Sequence, residues 1–258
     1  MNGDQRSEPI GEPTRASVGS HAVQSRTVPF ADIALHVGVT GEGPDVLMLT
    51  GGPGCVQYLE RDDLAPPGHR SWYPEPRGVG RSGGGPHTMA EAVTDLEGIR
   101  EAVGVRRWTV VGHSWGADLG VRYAVEHPDA VTAVVAIAGR GPQRDRSWSD
   151  AYDAGRDAEP VVDIYWVPEV HTALSDSFTE WIHHPGLWRG LADCQVPMQF
   201  VAAGDDIRPS WPLAQLAALV PHASFRTVPG VPHDFWATDP AVWTRTVAAA
   251  CAADQVGL

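Results

Sequence analysis

Residues 108–120 read Trp-Thr-Val-Val-Gly-His-Ser-Trp-Gly-Ala-Asp-Leu-Gly, and this stretch decides the fold. An apolar strand pattern leads into the turn Gly112-His-Ser-Trp-Gly116, and a helical pattern follows it as far as Pro128. A serine flanked by glycines between a strand and a helix is typical of a nucleophile elbow, whose strained backbone exposes the hydroxyl. The pattern predicts Ser114 as a nucleophile.

Strand and helix patterns alternate on both sides of this turn. Residues 26–40 are expected to form two antiparallel strands, and six further strands are expected at 45–50, 70–73, 108–112, 131–138, 198–203 and 224–228. The helices are expected at 88–103, 114–127, 211–220 and 240–253. Thr88 and Glu91 form a candidate capping box at the start of the helix predicted at 88–103. This order predicts the α/β class, with a doubly wound, mostly parallel sheet of eight strands.

The alternation is interrupted once and preceded by an irregular segment. Residues 1–24 lack hydrophobic periodicity and are interpreted as a flexible leader. Residues 141–192 mix aromatic and charged side chains, and we expect them to form a small helical cap inserted after the sixth strand. The remaining segments, 25–140 and 193–258, then form the core domain.

Composition narrows the range of partners. The net charge of −13 disfavours nucleic acid and membrane partners, so a small-molecule substrate is expected. All 19 basic residues are Arg, which excludes lysine Schiff-base chemistry. The three cysteines are widely spaced, and neither a signal peptide nor a membrane span is recognised, so we expect a cytoplasmic protein. Composition leaves the oligomeric state open.

A serine nucleophile needs a base and an orienting acid, which should follow it along the chain. His233 lies in the loop Pro229-Gly-Val-Pro-His-Asp-Phe235, after the last strand, and is the predicted base. The loop Ala203-Gly-Asp-Asp-Ile-Arg-Pro209 follows the preceding strand and offers Asp205 and Asp206 as the acid.

The turn Gly51-Gly-Pro-Gly54 ends a strand at the same edge and can stabilise an oxyanion through backbone N–H groups. Pro53 has no N–H, so the donor there is Gly51, Gly52 or Gly54. The second donor is expected to be the N–H of Trp115, directly after the nucleophile.

Three motifs together resemble the proline iminopeptidase-like branch of the α/β-hydrolase superfamily: Gly51-Gly-Pro-Gly54, Arg77-Gly-Val-Gly-Arg-Ser82 and Gly112-His-Ser-Trp-Gly116. The similarity extends over nearly the whole chain from about residue 26. It implies an oxyanion donor at Gly52 and, by alignment on Arg208-Pro209, favours Asp206 as the acid, with Asp205 as the alternative. Thr50 and Glu75-Pro76 depart from the residues usual before the first two motifs.

The resemblance implies a serine hydrolase that cleaves an ester or amide bond of a small, apolar or aminoacyl-bearing substrate through an acyl-enzyme on Ser114. A thioesterase or lactonase, a non-hydrolytic cyclase or lyase, and a small-molecule binder with a vestigial triad are the alternatives. An enzyme with an aspartate nucleophile is disfavoured because the elbow carries serine.

Aromatic residues of the cap are candidates for the wall of a substrate pocket. They are Trp148, Tyr165, Trp166, Phe178, Trp181 and Trp188. No cofactor is expected, and no metal, because the adjacent pair His183-His184 lacks a spaced set of further ligands.

Overall fold

Eight strands form a single sheet in the computed structural model, which describes residues 22–30, 33–143 and 145–253. Their order across the sheet is β1-β2-β4-β3-β5-β6-β7-β8. The strands are β1 (Gln24–Phe30), β2 (Ile33–Thr40), β3 (Asp45–Leu49), β4 (Arg70–Pro74), β5 (Trp108–His113), β6 (Val131–Ile137), β7 (Met198–Ala203) and β8 (Ala223–Val228).

Eight α-helices accompany the strands in the described part of the chain. They are α1 (Met89–Ala102), α2 (Trp115–Glu126), α3 (Arg146–Gly155), α4 (Pro168–Ile182), α5 (Leu187–Asp193), α6 (Trp211–Leu219), α7 (Phe235–Thr238) and α8 (Pro240–Ala253). Every strand and helix predicted from the periodicity is present, with ends that shift by one or two residues. The four-residue helix α7 was not predicted, because it is too short to repeat a hydrophobic pattern.

The sheet is parallel except around β2, which runs antiparallel to both β1 and β4. The central strands β5 and β6 are buried almost throughout, as their continuous apolar sequences predict for a sheet covered on both faces. Two clusters of buried side chains, one on each face, form the core. The predicted mostly parallel, doubly wound sheet is confirmed.

Helices α3, α4 and α5 lie between β6 and β7, where the sequence predicts a helical cap. This segment, residues 141–192, is called the insertion below. Helix α4 buries Val170, Leu174, Phe178 and Ile182, at spacings of four residues that place them on one face of the helix. The insertion is therefore packed on the core by an amphipathic helix.

Both ends of the chain include residues outside the described ranges. Residues 1–21 of the predicted leader lie there, whereas Gln24 already begins β1. Within the described residues, no helix combines the length and the apolar character that crossing a membrane requires.

Thr88 caps α1 as predicted, since its side chain accepts a hydrogen bond from the Glu91 N–H at 3.1 Å. The carboxylate of Glu91 pairs with Arg77 at 3.2 Å. The first half of the predicted capping box is therefore present, while the Glu91 side chain takes part in a tertiary ion pair.

Candidate active site

Ser114 occupies the turn between β5 and α2 with a φ of 53° and a ψ of −122°. A positive φ is uncommon for a residue with a Cβ and costs about 1–3 kcal/mol, so the surrounding structure must hold it. The Ser114 N–H donates to the Ile137 carbonyl at 2.8 Å, which fixes the turn to the end of β6. The side-chain hydroxyl of Ser114 makes no hydrogen bond within the described residues.

The two glycines of the elbow are required by close backbone packing. A Cβ on Gly112 would collide with the carbonyl oxygen of Gly116. A Cβ on Gly116 would stand 2.5 Å from the carbonyl oxygen of Leu49, at the end of β3. The turn can therefore be this tight, and α2 can approach the sheet this closely, only without side chains at these positions.

Asp206 and His233 are brought together by the loops after β7 and β8. Asp206 Oδ2 lies 2.6 Å from His233 Nδ1, and both side chains are buried. Asp205 is exposed and does not contact His233 among the contacts described; its backbone N–H donates to the Val231 carbonyl at 2.9 Å. Of the two candidate acids, Asp206 is the one that can orient the imidazole.

The other carboxylate oxygen of Asp206 is held by Arg208. Oδ1 accepts from the Arg208 backbone N–H at 2.9 Å and from its guanidinium at 3.1 Å. Burial raises the pKa of Asp206, but hydrogen bonds and positive charge from His233 and Arg208 outweigh burial and lower the pKa overall. The same guanidinium forms a two-pronged ion pair with Glu159 of the insertion. Asp206 is thereby kept ionised beside His233.

The loop Gly51–Gly54 lies directly against the elbow. A Cβ on Gly51 would stand 2.6 Å from the Cβ of Ser114. The Gly51 N–H, however, already donates to the Tyr58 hydroxyl at 2.7 Å. Since Pro53 has no N–H, Gly52 and Gly54 remain as possible oxyanion donors in this loop. Gly52, with a φ of 56°, is the donor that the motif resemblance implies.

Tyr58 and His113 form a buried chain of hydrogen bonds beneath these loops. The Tyr58 hydroxyl lies 2.6 Å from His113 Nδ1, and His113 Nε2 lies 3.1 Å from the backbone oxygen of His233. Burial, and next the charge of His233, lower the pKa of His113 to about 4, so the ring is neutral. A carbonyl only accepts, so Nε2 carries the proton and Nδ1 accepts from Tyr58.

This chain links the Gly51 turn, the elbow and the loop of the candidate base. The sequence reasoning missed both Tyr58 and His113. The only signal was the position of His113 inside the Gly-x-Ser-x-Gly motif, where the variable residue carries no expected role. The contact with Tyr58 spans 55 positions along the chain and follows from the tertiary fold.

Comparison with known proteins identifies the fold. A family model described as the alpha/beta hydrolase fold matches residues 44–160. A crystal structure of a proline iminopeptidase from Mycobacterium smegmatis superposes with a TM-score of 0.68 over 90% of this chain and 99% of that one, at 20% identity. The chain has the α/β-hydrolase fold.

The resemblance to proline iminopeptidases is also confirmed at the level of sequence. The chain is 39% identical over 101 residues to a proline iminopeptidase of Xylella fastidiosa, which is 36% of this chain and 31% of that protein. It is also 32% identical over 123 residues to an epoxide hydrolase 2 of Siraitia grosvenorii, which is 45% of this chain and 39% of that protein. The chain thus matches about a third of the length of these relatives.

In this α/β-hydrolase fold the insertion is joined to the Gly51–Gly54 loop by backbone hydrogen bonds. The Val56 N–H donates to the Tyr165 carbonyl at 3.1 Å, and the Val167 N–H donates to the Gly54 carbonyl at 2.9 Å. These bonds form an antiparallel bridge between Cys55 and Trp166. The insertion is therefore attached to the loop that carries the candidate oxyanion donors.

The six aromatic residues predicted to line a pocket do not form one wall. Phe178 is buried in the core and Trp181 packs against it, while Trp188 is 45% exposed. Trp148 stacks on Tyr152 within the insertion's first helix, with 5.9 Å between ring centroids. Tyr165 and Trp166 are exposed next to the bridge. These side chains lie on three helices and on the segment before α4, so the fold separates residues that sequence composition groups together.

Among the residues that the structure describes, two groups of side chains bring possible metal ligands within 4.8 Å of one another. One contains Glu159, Asp206 and His233, and the other contains His113, His233 and Asp234. Both include His233, whose Nδ1 is bonded to Asp206, so a metal at Nδ1 would displace that contact. Glu159, Asp206, His113 and His233 already have the hydrogen-bonding roles described above.

Proposed function

We propose that the protein is a serine hydrolase that cleaves an ester or amide bond of a small, apolar or aminoacyl-bearing substrate. The observation that carries the proposal is the 2.6 Å contact between Asp206 and His233, in a fold that holds Ser114 in the strained elbow conformation. In the proposed mechanism, His233 Nε2 removes the hydroxyl proton as Ser114 Oγ attacks the carbonyl carbon.

Asp206 has two tasks in this mechanism. Its hydrogen bond keeps the His233 proton on Nδ1, which leaves Nε2 free to act as the base. Its charge then stabilises the imidazolium that forms. Arg208, by occupying the other carboxylate oxygen, leaves only one oxygen for His233 and fixes its direction.

The tetrahedral intermediate places negative charge on the former carbonyl oxygen. In the proposal, the N–H groups of Gly52 and Trp115 receive this charge, because Tyr58 already occupies the N–H of Gly51. His233 next gives its proton to the leaving group, and an acyl-enzyme forms on Ser114. Water, activated by the same histidine, releases the acid and restores the serine.

The partial match to an epoxide hydrolase does not change the proposed serine mechanism. The elbow of this chain carries Ser114, whereas the aspartate-nucleophile class needs a carboxylate at that position. A serine hydroxyl is suited to acyl transfer when a histidine, itself oriented by a carboxylate, activates it. The small-molecule substrate and the absence of nucleic acid or membrane partners remain part of the proposal, on the basis of the negative net charge.

Ser114→Ala tests the mechanism, with Ser224→Ala on the exposed edge strand β8 as the matched control. With p-nitrophenyl acetate as substrate, the first variant should lose at least about 10³-fold in kcat, because no acyl-enzyme can form. A fluorophosphonate probe should label the wild-type protein and the control but not Ser114→Ala. A folded wild-type sample that takes up no label would favour a binding protein with a vestigial triad.

A panel of aminoacyl p-nitroanilides and acyl p-nitrophenyl esters separates amide from ester cleavage. Acyl-enzyme formation without release of the free acid would instead favour the cyclase alternative, in which a group of the substrate, not water, takes up the acyl chain.

A further inference from the structure

A cavity of about 50 Å³ lies beside the elbow, at the carboxyl edge of β3, β4 and β5. Such a volume holds roughly four water-sized groups, which is the size of a short acyl chain. The walls come from the sheet edge, from α1 and from the start of α2, and Leu174 of the insertion closes them. We call it the Trp115 cavity; its wall includes Leu49, Thr50, Pro74, Ala92, Leu96 and Trp115.

Two residues of the cavity wall, Thr50 and Trp115, connect it to the candidate nucleophile, which is not itself part of the wall. Trp115 directly follows Ser114 at the start of α2 and lines the cavity, and its backbone N–H is the second proposed oxyanion donor. Thr50, also in the wall, directly precedes Gly51, whose backbone lies against the Cβ of Ser114. The wall therefore reaches the elbow through Trp115 and the glycine loop through Thr50, on either side of Ser114.

Two buried nitrogens in the cavity wall have no hydrogen-bond partner among the described residues: Trp115 Nε1 and His87 Nδ1. Trp115 itself is 9% exposed. An indole N–H can only donate, so it requires an acceptor, and a buried donor without one is costly. The rest of the wall near Trp115 is mostly apolar, with Leu49, Leu119 and Leu174. The preferred occupant combines an apolar surface with an acceptor oxygen.

Charge and hydrogen-bonding capacity together disfavour two other kinds of occupant. The wall contains the carboxylates of Glu75, Glu91 and Asp95 against the guanidinium of Arg77, which disfavours an anionic group. Each carboxylate already pairs with an arginine: Glu75 with Arg81, and the other two with Arg77. An ammonium group would offer only donors to the unpaired indole N–H. An uncharged occupant fits both facts.

We propose that the Trp115 cavity is the acyl-group subsite, and that it takes a short, uncharged acyl chain whose ether or carbonyl oxygen accepts a hydrogen bond from Trp115 Nε1. This inference rests on the proposed function, since it needs an acyl-enzyme on Ser114. It adds a specificity that the catalytic residues do not set: acyl chains of about four heavy atoms with an internal oxygen are preferred over isosteric alkyl chains.

The decisive substrates are p-nitrophenyl methoxyacetate and p-nitrophenyl butyrate, which differ by one oxygen in place of a methylene group. Trp115→Phe keeps an aromatic ring and the backbone N–H but removes the indole donor. The ratio of kcat/KM for methoxyacetate to that for butyrate should fall by about fivefold in this variant, the effect of losing one neutral hydrogen bond. Using the ratio cancels the different intrinsic reactivities of the two esters. In Trp211→Phe, at the start of α6 and outside the cavity wall, the ratio should stay within twofold of wild type.

Ala92→Leu supplies a second, independent measurement, because the larger side chain fills the cavity from α1. The ratio of kcat/KM for butyrate to that for acetate should fall by about tenfold, since the longer chain loses its space. Thermal unfolding checks that both variants are folded. If Ser114 is labelled and turns over esters but neither ratio moves, the subsite assignment is wrong and the proposed function stands. If wild type hydrolyses none of the esters and Ser114 takes up no label, the proposed function fails and the subsite with it.

Discussion

The hydroxyl of Tyr58 and Nδ1 of His113 lie 2.6 Å apart, and through this contact the loop before the elbow is joined to the elbow itself. The Tyr58 hydroxyl also accepts a hydrogen bond from the Gly51 N–H, and the Tyr58 ring stacks on Trp236 with ring centroids 4.2 Å apart. His113 continues the chain to the backbone of His233. One tyrosine and one histidine thus position three segments that must stay in register for catalysis.

Tyr58→Phe should weaken this arrangement without changing its shape. The variant leaves the Gly51 N–H and His113 Nδ1 unpaired, which we expect to lower the free energy of unfolding by about 1–3 kcal/mol. Because a freed Gly51 loop no longer holds the oxyanion donors, kcat should fall by about tenfold with little change in KM. Urea unfolding and steady-state kinetics measure the two effects. Tyr165→Phe, at an exposed tyrosine, is the control. Equal kcat values for the two variants would contradict a positioning role for Tyr58.

The neutral state of His113 predicts a pH dependence of stability. The unfolded chain takes up a proton near pH 6.5, whereas the folded protein resists it until about pH 4. Between pH 4 and pH 6.5 the unfolded state therefore binds more protons than the folded state. The contribution of neutral His113 to the free energy of unfolding is present above pH 6.5 and is lost as the pH falls from 6.5 towards 4. Between pH 7.5 and pH 5 the loss should be about 2 kcal/mol.

His113→Gln should remove this component of the pH dependence. Comparing urea unfolding at pH 7.5 and pH 5, the wild-type protein should lose about 2 kcal/mol more than the variant. His222→Gln, at an exposed histidine, should behave as wild type. If His113→Gln and wild type lose equal stability on acidification, His113 is not held neutral by burial.

Adjacent aspartates allow a matched test of the acid. Asp206→Asn removes the charge and favours the wrong tautomer of His233, so kcat should fall by about 10³- to 10⁴-fold. Asp205→Asn alters an exposed neighbour and should leave kcat within twofold of wild type. Hydrolysis of p-nitrophenyl acetate measures both. Comparable losses in the two variants would mean that the contact with His233 is not what matters.

Gly51→Ala tests how closely the glycine loop must approach the nucleophile. The added methyl group would stand 2.6 Å from Ser114 Cβ and 2.5 Å from the Tyr58 hydroxyl, so the loop must move. We expect kcat to fall by about 10²-fold, since the oxyanion donors move with the loop. Gly83→Ala is the control, because its nearest neighbour would be 4.0 Å away and activity should be retained. Full activity in Gly51→Ala would show that this approach is not required.

The elements of this fold were predictable because each carries its own local signal. The continuous apolar run of β6 and the glycines around Ser114 act over a few residues, and their periodicity or spacing is visible without the tertiary structure. The sequence also limited the acid to two adjacent aspartates. Choosing Asp206 over Asp205 required the position of Arg208, which the motif resemblance supplied.

Other features depend on which way a side chain faces after the chain has folded. Phe178 and Trp181 are aromatic residues of the insertion, as expected of a pocket wall, but α4 directs them towards the core. Conversely, the contact between Arg208 and Glu159 joins residues 49 positions apart, and no local pattern indicates it. The direction of a side chain on a helix and the pairing of distant residues are set by packing, which single-residue composition does not encode.

The bridge between Cys55 and Trp166 has a consequence for exchanging parts among proteins of this fold. Grafting a foreign cap onto this core by cutting at the ends of the insertion would discard the partner strand of the glycine loop. A graft that instead keeps residues 165–167 and replaces only the helices on either side preserves both backbone hydrogen bonds. The cap, and with it the range of substrates, can then be exchanged without moving the backbone N–H groups proposed to bind the oxyanion.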